Sequence, residues 1–344
     1  MARYFVLPAG NPGTLRKAAT VARTYAIGVD LGGTKILTAV VADDGGVLAR
    51  DRVATPQDGP DSVVEAVAKT VDAVVAAAGL ARTALVGVGV GAPGPLNAQT
   101  GVVFQPPNLT GWHDVPFGPM LTERLRLPVG LANDANAAAL GEWRFGAGRG
   151  IDDLVYLTIS TGIGGGIIIG GTLLEGVSGT AGEIGHMTID VNGPRCVCGN
   201  TGCLEVLAAG PAIARAAQAA VTAGTPSTLL DRAGGKVERI TARVVAAAAA
   251  AGDALAADVF RRAATYVGVG VANLLNLLNP AMVIVGGGVS QAGDLLLEPI
   301  RVTARARAFE RPARDARIVL AQLGDNVGAV GAAAVAFMKT GWSL

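Results

Sequence analysis

The chain has 344 residues, 51% of them hydrophobic and only 16% charged, with 28 basic against 27 acidic side chains. That length fits two domains or one large α/β unit, and the apolar, weakly charged composition excludes an intrinsically disordered chain. A net charge of +1 offers no basic face, so nucleic acid is not an expected partner.

Residues 1 to about 24 show no hydrophobic period and read as a mobile extension; their apolar part is too short, and Pro8 too early, for a signal peptide. From Tyr25 the pattern sharpens. YAIGVD predicts a buried strand, LGGTK a turn, ILTAVVAD a second strand, and VLARDRVAT a third after the Asp44-Gly45-Gly46 turn. Residues 61–80 have helical spacing, with Asp61 as the expected N-cap and Gly79 as the stop. ALVGVGVGAP and LPVGLAND read as strands, and ANAAALGEWRFG as a helix.

The second half repeats the opening. LVYLTIS predicts a strand, TGIGGG a glycine-rich turn, and IIIGGTLLEG a returning strand. A long helix over about 253–278, the strand MVIVGGGV, a helix near 291–308, the strand RIVLAQ and a final helix over about 327–339 complete the chain. Two halves that each open with strand, glycine turn and strand imply a duplicated α/β architecture with a ligand cleft between the copies.

A mean hydropathy of +0.45 raises the question of a membrane. Residues 266–289 are uncharged but hold Asn273, Asn276 and Asn279 followed by Pro280, a buried helix that ends. Residues 154–174 are broken by Gly162, Gly164, Gly165, Gly166, Gly170 and Gly171. No transmembrane helix is expected, and the protein reads as cytoplasmic.

All three cysteines, Cys196, Cys198 and Cys203, fall in one short stretch with His186 just upstream. An odd, clustered number does not make a disulfide framework. Three thiolates and one imidazole make a closed tetrahedral zinc set, with Gly199 and Gly202 permitting the tight loop. Four protein ligands leave no open position, so the expected metal is structural.

Two glycine matches fail on context. Lys35 is preceded by Thr34 and followed by a strand, so it is not a Walker lysine. Gly89 to Gly94 spells G-x-G-x-x-G, but Pro93 and Pro95 forbid the helix a dinucleotide fingerprint must open. What remains is DLGGTK, STGIGGG and the run Gly286-Gly287-Gly288, turns whose bare backbone N–H groups suit a nucleotide cleft.

DLGGTK, NDANAAALGEW, STGIGGG, EIGH and CVCGNTGCLE, in that order from about residue 25 to the end, resemble the ROK family of repressors, open reading frames and kinases, and within it the bacterial glucokinases. The resemblance implies an actin-like (ribonuclease H-like) two-domain α/β sugar kinase fold with a central cleft. The implied division is a small domain of residues 25–132 plus 326–344 and a large one of 133–325 carrying the zinc loop. The implied activity is ATP- and Mg²⁺-dependent phosphorylation of a hexose, glucose to glucose 6-phosphate first. Fructose, mannose, N-acetylmannosamine and N-acetylglucosamine remain as other substrates.

By the same resemblance, Asp134 is the catalytic base. A helix N-terminus there favours its ionised, weakly basic form, and N-capping is the alternative job for such an Asp. Asn108, Asn133, Glu183, His186 and Glu205 are the implied sugar contacts, with His186 also a zinc ligand. Asp30 is placed toward magnesium. Gly32, Gly33, Thr34, Thr161 and Gly162 are assigned to the phosphates, and Gly286, Gly287 and Gly288 to the adenosine; Lys35 is left between phosphate and solvent. A homodimer or homotetramer is expected. A sugar-sensing repressor is the competing reading, but about 24 residues before the first strand are too few for a three-helix DNA-binding domain.

Overall fold

The structure is a computed structural model that describes residues 23–106 and 108–341. Most of the expected N-terminal extension therefore lies outside the described residues. Its last two positions are held in place: Arg23 pairs with Asp44, and Thr24 exchanges hydrogen bonds with Asp43 at 3.0 and 3.1 Å.

Strands β1 (Tyr25–Leu31), β2 (Lys35–Ala42) and β3 (Val47–Ala54) form an antiparallel meander. Helix α1 (Pro60–Ala77) leads to β4 (Leu85–Ala92), parallel to β1. After a small ribbon of β5 (Leu96–Asn97) and β6 (Val102–Val103) come α2 (Phe117–Leu125) and β7 (Val129–Asn133), parallel to β4. Helix α3 (Asp134–Phe145) then crosses to the second half.

There β8 (Leu154–Ile159), β9 (Ile163–Ile169) and β10 (Thr172–Leu173) make another meander. Helices α4 (Leu204–Ala208), α5 (Gly210–Thr222), α6 (Leu229–Arg232), α7 (Ala242–Ala250) and α8 (Ala254–Leu278) precede β11 (Met282–Gly286). Helices α9 (Asp294–Arg307) and α10 (Glu310–Asp315), strand β12 (Arg317–Leu320) and helix α11 (Val327–Lys339) close the chain. The two sheets run β3-β2-β1-β4-β7 and β10-β9-β8-β11-β12, with the central three-strand tails parallel in both. The duplication read from the sequence is thus one topology used twice.

Local chemistry explains the ends. Asp253 caps α8 by accepting from the Ala256 N–H at 2.9 Å, and Asn279 stops it in the left-handed region at φ 47°. Two expectations shift. The N-cap of α1 is Gly59, not Asp61, because Pro60 takes the first helical position that its ring favours. Of the glycines of TGIGGG, only Gly162 lies in the turn. The turn is residues 160–162, and Gly164, Gly165 and Gly166 lie inside β9, where side chains would meet Ala135, Ile184 and Ala139.

Helices α3 and α11 lie between the sheets. Helix α11 packs across β1 and β4 at a distance only glycine allows: a Cβ on Gly28 or Gly89, which face each other across those strands, would stand 1.8 or 1.7 Å from a helix carbonyl. One apolar core fills the space between the first sheet and α1 and α2, and a larger one lies between the second sheet and α4 to α9. Among the described residues no helix is long and apolar enough to cross a membrane.

Candidate active site

A cavity of about 470 Å³ opens where the strand ends of both sheets converge. The first sheet contributes Asp30, Gly32 and Lys35 from the β1–β2 turn, with Asn108 and, at the β7–α3 junction, Asn133 and Asp134. The second contributes Thr161 and Gly162 from the β8–β9 turn, with Glu183, His186 and Glu205 beyond it. Asp134 and the five expected sugar contacts meet here, though they lie up to about a hundred residues apart in the chain.

The β7–α3 junction separates two roles that the sequence left open. Asn133, not Asp134, is the N-cap: its Oδ1 accepts from the Ala135 and Asn136 N–H groups at 3.0 and 3.4 Å. Such a cap is worth about 1 kcal/mol. The Asn133 oxygen is thereby occupied, leaving its amide NH₂ as the group for a ligand. Asp134 is the first helical residue and accepts one bond, from the Ala135 N–H at 2.8 Å.

The expectation of a low, helix-stabilised pKa for Asp134 is overturned. Burial lifts it from 3.8 to about 6 against the pull of the Ala135 N–H, and the Asp30 and Glu183 carboxylates add to the rise. The helix end is outweighed by desolvation and by like charge. Burial also raises Asp30, partly offset by Lys35 and Arg52. Its carboxyl stands against Gly328 in the first turn of α11, where a Cβ would approach to 2.5 Å.

A second cavity, about 730 Å³ and largely apolar, adjoins the first and shares Ser160 and Thr161 with it. Its walls are the N-terminus of α5, the alanine face of α7, and Gly288, Val289, Gln291, Ala292 and Leu295, with Gln218, Glu238 and Arg243 among its polar groups. Of the glycine run, only Gly288 lines it. Gly286 is a buried strand residue packed on the Tyr156 ring, and Gly287 takes φ 85° against Ile159. Gly33, pressed on Asn108, and Thr34 likewise line neither cavity.

His186, Cys196, Cys198 and Cys203 place their donor atoms within 4.8 Å of one another. Cys198 Sγ and Cys203 Sγ are 3.7 Å apart, as are Cys196 Sγ and His186 Nδ1. A disulfide needs about 2.05 Å, whereas a tetrahedron with legs of about 2.3 Å has edges close to 3.8 Å. The other ring nitrogen, Nε2, points 3.9 Å from Glu183 Oε2 at the first cavity. Gly202, at φ 66°, makes the loop possible: a side chain there would overlap the Asp190 carbonyl. Helix α4 starts directly after Cys203, and Glu205 in its first turn accepts from the Ile163 N–H at 2.9 Å. The four-donor loop is therefore fastened to the cavity wall.

Comparison with known proteins agrees with this geometry. The ROK family model matches residues 26–339. This chain belongs to the ROK family. The glucokinase of Halalkalibacterium halodurans is 42% identical over 308 residues, covering 89% of this chain and 92% of that protein. The ROK glucokinase of Streptomyces griseus, solved with glucose and AMPPNP, is 41% identical with a TM-score of 0.79, over 90% of this chain and 98% of that one. A ROK family transcriptional regulator, a homologue of the E. coli MLC protein, is 32% identical with a TM-score of 0.82, over 92% of this chain but 79% of its own. The two sheets and the cleft are thus the actin-like fold of ROK glucokinases.

Several lining residues of this ROK chain escaped the sequence reading. Lys35 lines the first cavity and is at the same time exposed to solvent. Ser160 stands at the junction of both cavities, and its place at the head of STGIGGG was a usable signal. Asn136, Thr158 and Thr180 carried none, because nothing in a linear pattern reports which polar side chains converge.

Proposed function

We propose that this chain phosphorylates a hexose, glucose first, with ATP as donor and Asp134 as general base. The observation that carries the reading is Asp134: a carboxylate tuned to about 6, facing a polar cavity that joins an apolar one through Ser160 and Thr161. The hexose occupies the polar cavity and the adenosine the apolar one, where flat alanine and glycine walls accept a base. The phosphates then pass the β8–β9 turn and face the β1–β2 turn, with Lys35 and Gly32 beside them.

In the transfer, the hexose primary hydroxyl oxygen forms a bond to the terminal phosphorus, the bond from that phosphorus to the bridging oxygen breaks, and ADP leaves. Asp134 takes the hydroxyl proton. A base near pKa 6 is deprotonated at neutral pH yet a better acceptor than an ordinary Asp. The Asn133 NH₂, Glu183, His186 Nε2, Glu205 and Asn108 hold the remaining hydroxyls, and buried polar partners discriminate against a sugar that leaves them unpaired.

The donor set and its spacing within 4.8 Å fit zinc at His186, Cys196, Cys198 and Cys203, closed and structural. Magnesium on the nucleotide supplies charge neutralisation, and Asp30 is the carboxylate fitted to face its hydration shell. The small domain is residues 25–132 with 326–344, and the large one 133–325. Likeness to the regulator supports a second reading, a sugar sensor. Turnover in solution against tight, salt-sensitive DNA binding separates the two. The direct test of the base is Asp134→Asn: kcat falls by about 10²–10⁴ with hexose affinity held within a few-fold. Unchanged turnover would refute it.

A further inference from the structure

Glu142 lines neither cavity and takes no part in the chemistry above, yet it is the one charged side chain among the described residues with no solvent exposure. A carboxylate buried that deeply costs several kcal/mol unless its oxygens are fully partnered. Here they are. Oε2 accepts from the Ala147 N–H at 2.8 Å, and Oε1 accepts from the Gln322 and Leu323 N–H groups at 2.9 and 2.8 Å. Gln322 N–H also reaches Oε2 at 3.1 Å.

The location of those donors gives the group its meaning. Among the described residues the chain passes between the two sheets twice, through α3 after β7 and through residues 321–326 between β12 and α11. Glu142 lies in the last turn of the first crossing and holds the opening residues of the second. Beside it α3 and α11 are in close contact: a Cβ on Gly141 would stand 2.8 Å from Gly331 Cα. Both connections therefore meet at one point. At the other end of α3, about 12 Å away at 1.5 Å per residue, is Asp134. A backbone carbonyl would tie the second crossing into a sheet; a side chain on α3 ties it to the helix that carries the base.

We propose that Glu142 is a positioning residue that couples the two inter-sheet connections into a single hinge, so that closure brings Glu183, His186 and Glu205 onto Asp134 in one register. The inference rests on the reading of Asp134 as the base. Without the clamp the crossings move independently, and the halves close with the reacting atoms misaligned, which costs rate more than binding.

Two variants of the full chain test it. Glu142→Gln turns one acceptor into a donor facing an N–H group. Gln322→Pro leaves Glu142 in place and deletes one donor just past the end of β12, where the Ala321 N–H still bonds Val285 O at 2.9 Å. Each variant, folded by circular dichroism, is expected to lose at least about tenfold in kcat. Its glucose Kd by calorimetry stays within about threefold, and glucose shrinks its radius of gyration less than that of the unaltered chain. If Glu142→Gln does not fold, Gln322→Pro decides. Turnover within twofold of the unaltered chain, or glucose affinity falling in parallel with kcat, would overturn the inference. An unaltered chain that turns over no hexose would instead overturn the kinase reading, and this inference with it.

Discussion

At the scale of single residues, Asp134 shows what a sequence can and cannot report. Its type, its place after an apolar strand and its helix start are all written in LPVGLAND. Its ionisation is not, because burial beside Asp30 and Glu183 is a product of distant segments meeting. The correction has kinetic and thermodynamic consequences. The acid limb of kcat/KM for glucose is expected near pH 6, where the free carboxyl loses its proton, rather than near 4. A limb at 4 would return Asp134 to an ordinary environment. The rise from 3.8 to about 6 also means that about 3 kcal/mol opposes the ionised form in the folded chain. Below pH 3.8 both folded and unfolded chains hold the proton and no cost arises. Between 4 and 6 the unfolded chain releases it first, and above 6 the full cost is present. Asp134→Asn removes that cost, so urea denaturation is expected to show the variant more stable than the unaltered chain at pH 8, with a much smaller gain at pH 4.5. An equal difference at both pH values would contradict the account.

The two sheets and helices α1, α3, α8, α9 and α11 were legible because periodicity is local, whereas α2, α4 to α7 and α10 were not read. The strands of both meanders, α8 and the final α11 stand where apolar runs and helical spacing put them. What failed is contact-dependent: Gly164 to Gly166 look like a turn and are a strand, since only the approach of α3 and Ile184 explains their missing side chains. The metal loop was legible to its last donor, Cys-x-Cys spacing being a strong signal, and so was its reach to the pocket wall through Glu205, two residues past Cys203; the Ile163 N–H that secures Glu205 there was not. That fastening predicts a functional cost for losing a structural metal. One zinc per chain is expected by metal analysis. Cys198→Ser is expected to lower the zinc content and weaken hexose binding about tenfold in calorimetry, the worth of one misplaced charge-assisted hydrogen bond. Zinc loss with unchanged hexose affinity would detach the loop from the site.

For the molecule as a whole, one topology used twice explains why the site is a cleft. Each meander ends its strands at the same face, and α3 and α11 hold those faces toward each other, so the β1–β2 and β8–β9 turns confront across a polar cavity. The sequence showed the repeated strand, glycine turn and strand, hence the two lobes. It could not show that six polar side chains from opposite lobes close on one space. On the proposed reading, which hexose fits that space is decided by hydroxyl placement against Asn133, Glu183, His186 and Glu205. The most direct test is steady-state, hexose-dependent release of ADP from ATP across glucose, fructose, mannose, N-acetylmannosamine and N-acetylglucosamine. The account predicts turnover with glucose giving the highest kcat/KM; no release with any of the five, or an N-acetylated sugar ahead by tenfold, would contradict it.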